Sequence, residues 1–352
     1  MRKIFASLLA AALLVPAAAS SAFAAEKPIR LTMQTQYMDR HPVVQKVFKP
    51  WIEEVKKRTN GRVIITLYNA GTLCPDASLY DSVVKGQVDI GEHFCNRTPG
   101  RFPLNSVIGK IPMEVSNPRI GAEAYWNLFQ ATPAMQDEFK ETKVLALHTT
   151  ALCQLHTKNR EITNAEQLKG LRLLGISKDT TVIINSLGLK ALMQPSTEVY
   201  MAMSRNMADV CVLPVAIVRS LKINECTNYT LMFNGILGSC WVSMNKDKWN
   251  SLPDDVKAVL EETTGKTMSM AIGQTLTDSE AADKELLAKS GHKFVDISPE
   301  ERVKWRDAMR PALQETWKQE LAKSNYTATD ELFATAVKYM KEAEEAYFKS
   351  AK

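Results

Sequence analysis

The stretch VKKRTNGRVIITLYNAGTL, residues 55–73, places the end of a helix directly before a strand. Upstream of it, apolar residues recur at helical spacing from Val44 to Val55. Gly61 is expected to stop this helix, because glycine is common where a helix ends. The next residues, Arg62–Tyr68, are rich in β-branched side chains and predict a strand. This helix-to-strand order is typical of an α/β fold.

The neighbouring residues extend the same alternation. Residues 29–34 alternate apolar and polar side chains and predict a first strand, residues 77–85 predict a helix, and residues 88–91 predict a short buried strand. A β-α-β-α-β order indicates a largely parallel sheet. Ligands of such sheets lie beyond the carboxyl ends of the strands. We expect these ends at residues 34–37, 70–74 and 92–96.

The second half of the chain repeats this organisation. Its predicted strands are residues 171–174, 192–194 and 209–214, with helices at 179–186 and from Ser196 onward. Residues 241–245 then predict a strand that returns to the first sheet. A long helical pattern follows from Asp254 to about Lys289, and at ~1.5 Å per residue it is roughly 50 Å long, enough to brace two lobes.

The predicted architecture is therefore a two-lobed α/β binding protein with a bracing helix and a hinge between the lobes. We expect the first lobe to contain residues 25–150 and 238–270. The second lobe, with the C-terminal helices, is expected to contain residues 151–237 and 271–352. Two lobes joined by crossing strands are typical of proteins that close on a ligand by hinge motion.

The first 24 residues predict a secretory signal peptide. Arg2 and Lys3 form its basic region, residues 4–15 are a short apolar run, and Ala22-Phe23-Ala24 offers a cleavage site after Ala24. Loss of Arg2 and Lys3 would lower the formal net charge from +5 to +3. The remaining charges are evenly mixed, which argues against nucleic-acid binding. No later stretch predicts insertion into a membrane.

The six cysteines and five histidines lack the spacing of a known catalytic or metal motif. We therefore predict no enzymatic activity, no cofactor and no metal ligands, and a secreted hydrolase or redox enzyme is the less favoured reading. Export permits disulfides, but sequence leaves disulfide pairs and free buried thiols equally open.

Several separated motifs together resemble the solute-binding proteins of tripartite ATP-independent periplasmic (TRAP) transporters, which form family 7 of bacterial extracellular solute-binding proteins. Besides residues 55–73, these motifs are GQVDIG (86–91), GRFPLNSV (100–107), EQLKGLRL (166–173), STEVYMAM (196–203) and MNKDKWNSLPDDVKAVLEE (244–262). The resemblance covers nearly the whole mature chain. It implies a monomeric periplasmic receptor that delivers a small organic solute to the large and small subunits of an ion-gradient-driven permease.

The resemblance also implies site residues, and here the chain departs from the family. An arginine after K-G-L usually holds the carboxylate of the solute, and the matching position is Leu174. The asparagine usually found before the later proline is replaced by Leu213. Aligned positions implicate Gln34 and Phe94, and a second contact falls at Cys153 or Gln154, a register that sequence leaves open.

These replacements predict a ligand that is neutral, amine-bearing or aromatic rather than a simple organic acid, because a buried carboxylate without a cationic partner is costly. Leu174, Leu213, Phe94 and Trp241 would contact its apolar part, while Gln34 and Gln154 would donate or accept hydrogen bonds. One alternative is an organic-acid receptor that uses a displaced arginine such as Arg172, with Arg97 and Arg101 as further possible partners. Another is a receptor that presents its ligand to a signalling partner.

Overall fold

A computed structural model describes residues 27–98, 100–324, 326 and 329–350. The predicted signal peptide, residues 1–24, lies outside this part of the chain. Within the described residues, no helix combines the length and the hydrophobicity needed to cross a membrane.

The described residues contain eleven strands in two sheets. The strands are β1 (Ile29–Thr35), β2 (Val63–Asn69), β3 (Ile90–Phe94), β4 (Thr142–Thr149), β5 (Cys153–Thr157), β6 (Leu173–Gly175), β7 (Ala191–Met193), β8 (Val210–Pro214), β9 (Tyr229–Met232), β10 (Ser239–Asn245) and β11 (Lys293–Asp296). The first sheet has the order β2-β1-β3-β10-β4 and the second β11-β9-β5-β8-β6-β7. In the first sheet β1 runs parallel to β2 and β3, whereas β10 lies antiparallel between β3 and β4.

Helices cover the sheets. They are α1 (Lys49–Arg58), α2 (Leu79–Val84), α3 (Pro118–Ala131), α4 (Pro133–Asp137), α5 (Lys178–Ser186), α6 (Ser196–Ser204), α7 (Val215–Ser220), α8 (Lys246–Asn250), α9 (Asp254–Thr263), α10 (Lys266–Lys289), α11 (Pro299–Leu321) and α12 (Thr329–Ser350). Helix α10 packs against α3 and β4 on the side of the first sheet and against α7 on the side of the second. It is therefore the brace that the sequence predicts.

The brace is shorter than predicted, because the helical pattern from Asp254 is broken in two. Gly265 has φ +62°, outside the helical region, and its N–H donates to the carbonyl oxygen of Leu145 in β4 at 2.5 Å. This contact ends α9 and starts α10, whose 24 residues extend over about 36 Å at ~1.5 Å per residue.

The third predicted strand also differs from expectation, since β3 begins at Ile90 rather than at Val88. Asp89 is held ahead of the ladder by its side chain, which accepts hydrogen bonds from the Thr32 backbone N–H at 2.7 Å and from its hydroxyl at 3.0 Å. The strand then continues to Phe94, four residues beyond its start.

The chain passes between the sheets three times, once through α10 and twice at adjacent places, after β4 and before β10. Backbone hydrogen bonds of 2.9 Å join Thr150 to Gly238 and Cys153 to Ile236, and a third of 3.0 Å joins Gly235 to Cys153. We call residues 150–153 and 235–238 the crossing segments. Their pairing holds the ends of β4 and β10 together where the two sheets meet.

Trp241 of β10 fills the centre of the core between the first sheet and α2, and it is fully buried. Its ring meets that of Tyr80 edge to face at 5.2 Å between centroids, and Gly91 leaves room for it on the neighbouring strand. A methyl group on Gly91 would lie 3.0 Å from the indole. The packing of the Trp241 ring therefore requires a glycine at position 91.

We expect Trp241→Ala to lower the free energy of unfolding by about 3–5 kcal/mol, because it leaves a large cavity among fixed neighbours. Chemical denaturation followed by circular dichroism measures this change. Phe348→Ala is the control, since Phe348 is 49% exposed and its loss should change stability by no more than about 0.5 kcal/mol. Equal effects of the two substitutions would contradict the central role of Trp241.

Candidate functional site

A cavity of about 650 Å³ lies between the two sheets. The crossing segments line it through Thr150, Ala151, Cys153, Ile236, Leu237 and Gly238. Loops at the carboxyl ends of β1, β3, β6 and β8 supply its walls, as expected for parallel strands. Of the three predicted carboxyl ends, those after β1 and β3 reach the cavity, whereas residues 70–74 after β2 do not line it.

The wall from the first sheet is aromatic. Tyr37 and His41 are stacked with their ring centroids 3.8 Å apart, and burial lowers the pKa of His41 to about 4, so the imidazole is neutral at pH 7. Phe94 is half-buried and Phe102 is buried. These flat apolar faces suit an aromatic ring of a ligand.

An ion-pair cluster forms the opposite side. The Lys110 ammonium is only 4% exposed and donates to Asp179 at 2.8 Å and to Glu320 at 3.0 Å. Lys110 follows β3 of the first sheet, Asp179 begins α5 after β6 of the second sheet, and Glu320 ends α11. We call these three residues the Lys110 cluster. It connects the two halves of the cavity, and the exposed ammonium of Lys178 also lies 3.9 Å from Glu320.

The start of α5 is satisfied by its own residues. The Ser177 hydroxyl accepts from the Thr180 N–H at 3.1 Å, and the Thr180 hydroxyl accepts from the Ser177 N–H at 2.8 Å. This reciprocal cap holds Asp179 in the cavity wall. It also explains the glycine in LLGIS, because a methyl group on Gly175 would lie 2.8 Å from the Thr181 hydroxyl.

Arg97 lies at the exposed mouth of the cavity, with its guanidinium carbon 6.0 Å from the centre of the Phe94 ring. Within the described chain, no carboxylate lies at ion-pair distance from Arg97. It is thus a positive charge on the cavity lining whose hydrogen-bond donors are available to a ligand.

Comparisons with known proteins agree with this geometry. The model of the bacterial extracellular solute-binding protein family 7 matches residues 33–320. The chain belongs to this family.

Solved structures place the family 7 protein among TRAP receptors. It is similar to a TRAP solute-binding protein of Rhodoferax ferrireducens with copurified benzoate (TM-score 0.77, 25% identity, 91% of this chain and 99% of that one). It is also similar to one of Desulfovibrio salexigens (TM-score 0.81, 26% identity, the same coverage). The outer membrane transporter protein TsaT of Comamonas testosteroni is 25% identical over 75% of this chain and 78% of its own.

The family 7 protein is therefore a TRAP solute-binding receptor, in a family whose members are periplasmic and work with a membrane permease. Such proteins bind solutes and are not enzymes. The predicted α/β fold with two lobes is confirmed. The identity of the solute depends on the residues that line the cavity of this receptor.

Two of the eight residues predicted for the site line the cavity, namely Phe94 and Cys153. Side chains alternate along β5, so Cys153 faces the cavity and Gln154 does not. The Gln154 amide instead donates to the Asn234 side chain at 2.7 Å and accepts from its N–H at 2.9 Å.

Leu174, Leu213 and Trp241 lie away from the cavity, contrary to expectation. Leu174 and Leu213 are buried in one apolar cluster with Val199 and Met203 of α6. Trp241 lies in the core described above. The hydrophobic effect places all three inside the protein, where they fill its interior rather than its cavity.

The two remaining residues have structural partners. Gln34 is buried, and its side chain accepts from the N–H groups of Leu73 and Cys74 at 2.9 and 2.8 Å, so it fastens the loop after β2. Arg172 is exposed and makes a two-pronged contact with Asp209 at 2.9 and 2.8 Å. It does not line the cavity.

Sequence reasoning did not assign Lys110 and Phe102 to the site. A signal for Lys110 is present in the stretch VIGKIP, residues 107–112, where one charge interrupts an apolar run. A buried charge requires partners, but the partners of Lys110 are 69 and 210 residues away in sequence. Phe102 belongs to the GRFPLNSV motif (residues 100–107), which indicates the family but does not by itself indicate a contact with the solute.

All six cysteines are free. Cys95 and Cys153 line the cavity, and burial raises the pKa of each thiol to about 12. Cys211 and Cys240 are buried elsewhere, whereas Cys74 and Cys226 are half-buried. The cavity therefore contains protonated, weakly nucleophilic thiols rather than a disulfide.

We expect iodoacetamide to modify Cys74 and Cys226 of the folded protein well before the four buried thiols, because the reagent needs access and a thiolate. Unfolding without reductant should then expose the other four thiols, so that six groups are added in total. Intact-mass measurement counts the added groups. Fewer than six additions to the unfolded, unreduced protein would reveal a disulfide and contradict this description.

Proposed function

We propose that this receptor is exported to the periplasm, with the signal peptide cleaved after Ala24, and acts as a monomer. It captures a small solute between its lobes and delivers it to the large and small subunits of a TRAP permease. One observation supports this proposal most: both sheets and both crossing segments contribute to the lining of a single cavity. A solute there is contacted from both sides, so binding stabilises the closed arrangement of two hinged lobes.

The proposed lobes follow the predicted ranges, with residues 25–150 and 238–270 in the first and residues 151–237 and 271–352 in the second. The crossing segments would act as the hinge, because they are the paired backbone between the sheets. A receptor that presents its ligand to a signalling partner would use the same closure.

For the ligand, we propose a small aromatic solute whose polar end is neutral or carries an amine. Tyr37, Phe94 and Phe102 would contact the ring. Leu174 stands where the family usually has its anchoring arginine, and it is buried in an apolar cluster, so β6 supplies no guanidinium. The two carboxylates of the Lys110 cluster accept hydrogen bonds from an amine or amide.

The relative from Rhodoferax ferrireducens copurifies with benzoate, which supports the aromatic part of this proposal. It also makes an aromatic acid the second candidate, and Arg97 is the observation that favours it. Arg172 does not support an acid ligand, because it is paired with Asp209 outside the cavity.

A matched set of ligands separates these candidates. Benzylamine, benzamide and benzoate share one ring and differ in the charge of the polar group, and succinate lacks the ring. We expect benzylamine or benzamide to raise the melting temperature by several degrees at saturating concentration, since a ligand at 100 times its Kd adds about 2.7 kcal/mol of stability. Stabilisation by benzoate alone would favour the acid, and stabilisation by succinate alone would contradict an aromatic ligand. Native mass spectrometry identifies any copurified solute.

Substitutions at the cavity mouth test the same proposal from the protein side. Phe94→Ala should weaken binding of the aromatic ligand about fivefold, because it removes an aromatic contact worth roughly 1 kcal/mol. Arg97→Ala should leave the affinity for a neutral or cationic ligand within about twofold. Calorimetric titration measures both, with Phe348→Ala as the surface control. A loss of tenfold or more with Arg97→Ala would show that the ligand is an anion.

A further inference from the structure

Three side chains with metal-binding atoms converge beneath the aromatic wall of the cavity. Glu92, His148 and Cys240 lie on three adjacent strands, β3, β4 and β10. Cys240 is opposite His148, and Glu92 is opposite Val242, two residues further along β10. Since side chains alternate along a strand, this register puts all three on one face of the sheet. Their donor atoms lie within 4.8 Å of one another, and all three residues are completely buried.

The imidazole of His148 is oriented as a ligand would be. Its Nδ1 lies 3.3 Å from the carbonyl oxygen of Thr149, which can only accept, so the ring proton belongs on Nδ1. Nε2 lies 3.3 Å from a carboxylate oxygen of Glu92, a contact between two electron-rich atoms that requires either a proton on Nε2 or a cation between them. Nε2 has no hydrogen-bond partner among the described residues. A metal-bound histidine commonly donates its other N–H to a carbonyl in this way.

The carboxylate of Glu92 is also held in place from behind. One oxygen accepts from the Thr35 hydroxyl at 2.5 Å, and the other accepts from the Gln36 side-chain amide at 2.9 Å. The Gln36 backbone N–H adds a longer contact of 3.3 Å. These donors fix the orientation of the carboxylate, as the outer partners of a ligating carboxylate do.

We propose that Glu92, His148 and Cys240 bind a divalent cation of the zinc type. One carboxylate oxygen, one imidazole nitrogen and one thiolate sulfur form a donor set that suits Zn²⁺, with bonds of about 2.0–2.3 Å. Binding forms a Zn–S bond and breaks the S–H bond of Cys240, whose proton passes to solvent. The carboxylate and the thiolate then balance the charge of the ion in a dry interior.

The site lies one side chain behind the cavity. Tyr37 lines the cavity, and its pKa is raised by burial and then by the nearby Glu92 and Cys240. The other two proposed ligands are also close to the cavity. Cys240 is adjacent in sequence to Ser239, which lines it, and His148 is two residues before Thr150, which also lines it. An ion here fastens β3, β4 and β10 at the end of the sheet where the solute binds. This inference is independent of the solute and of the proposed transport role.

The test uses the full mature chain without an affinity tag, treated with chelator and then dialysed. Titration with Zn²⁺ should give one ion per chain and release of about one proton. Titration with Co²⁺ should produce the thiolate-to-cobalt charge-transfer absorption in the near ultraviolet. Cys240→Ser and His148→Gln should each weaken Zn²⁺ binding at least about tenfold. Cys211→Ser is the matched control, because it removes an equally buried thiol from the second sheet and should leave binding unchanged.

The competing arrangement is a buried pair of the Glu92 carboxylate and a His148 imidazolium, which holds no metal. Absence of the charge-transfer absorption from folded, unsubstituted protein would overturn the proposal, with no variant required. Zn²⁺ binding that survives both Cys240→Ser and His148→Gln would also overturn it, because the ion would then bind elsewhere. Circular dichroism of each variant shows whether a loss of binding reflects unfolding.

Discussion

Backbone hydrogen bonds between residues 150–153 and 235–238 join two of the three passages of the chain between its sheets. Because these passages are paired, β10 must re-enter the first sheet beside β4, where it lies antiparallel between β4 and β3. The same pairing places the ends of strands from both sheets around one cavity. The architecture of the receptor and the position of its solute site thus follow from one set of contacts.

Burial of charge is the second constraint on the cavity. An ammonium that is 4% exposed, at Lys110, is stable only because carboxylates from two other elements reach it. Those carboxylates belong to α5 and α11, which both follow strands of the second sheet, whereas Lys110 follows β3 of the first, so the cluster bridges the two halves of the protein. These groups line the cavity, so the same ion pairs that hold the two halves of the protein together also set the polarity of that wall.

Much of the fold could be predicted, because patterns of side chains that are close in sequence determine most of its helices and strands. The helix before Gly61, the strand after it and the start of α6 at Ser196 depend on side-chain periodicity and on residues that end or begin helices. The errors fell where a distant contact overrides the pattern. Asp89 is held by Thr32 of β1, and Gly265 is tied to Leu145 of β4, so β3 starts late and the long helix is broken.

The amino-acid sequence by itself determined the alternation of strands and helices and the resemblance to TRAP receptors. Only the tertiary structure decided that Leu174, Leu213 and Trp241 are packed in the interior, and that Tyr37, Phe102 and Lys110 line the cavity. The spacing of apolar residues shows which face of a helix or strand is apolar, because that spacing depends only on residues that are close in sequence. Whether that face meets the core or a cavity depends on partners that are distant in sequence, such as Glu320 for Lys110.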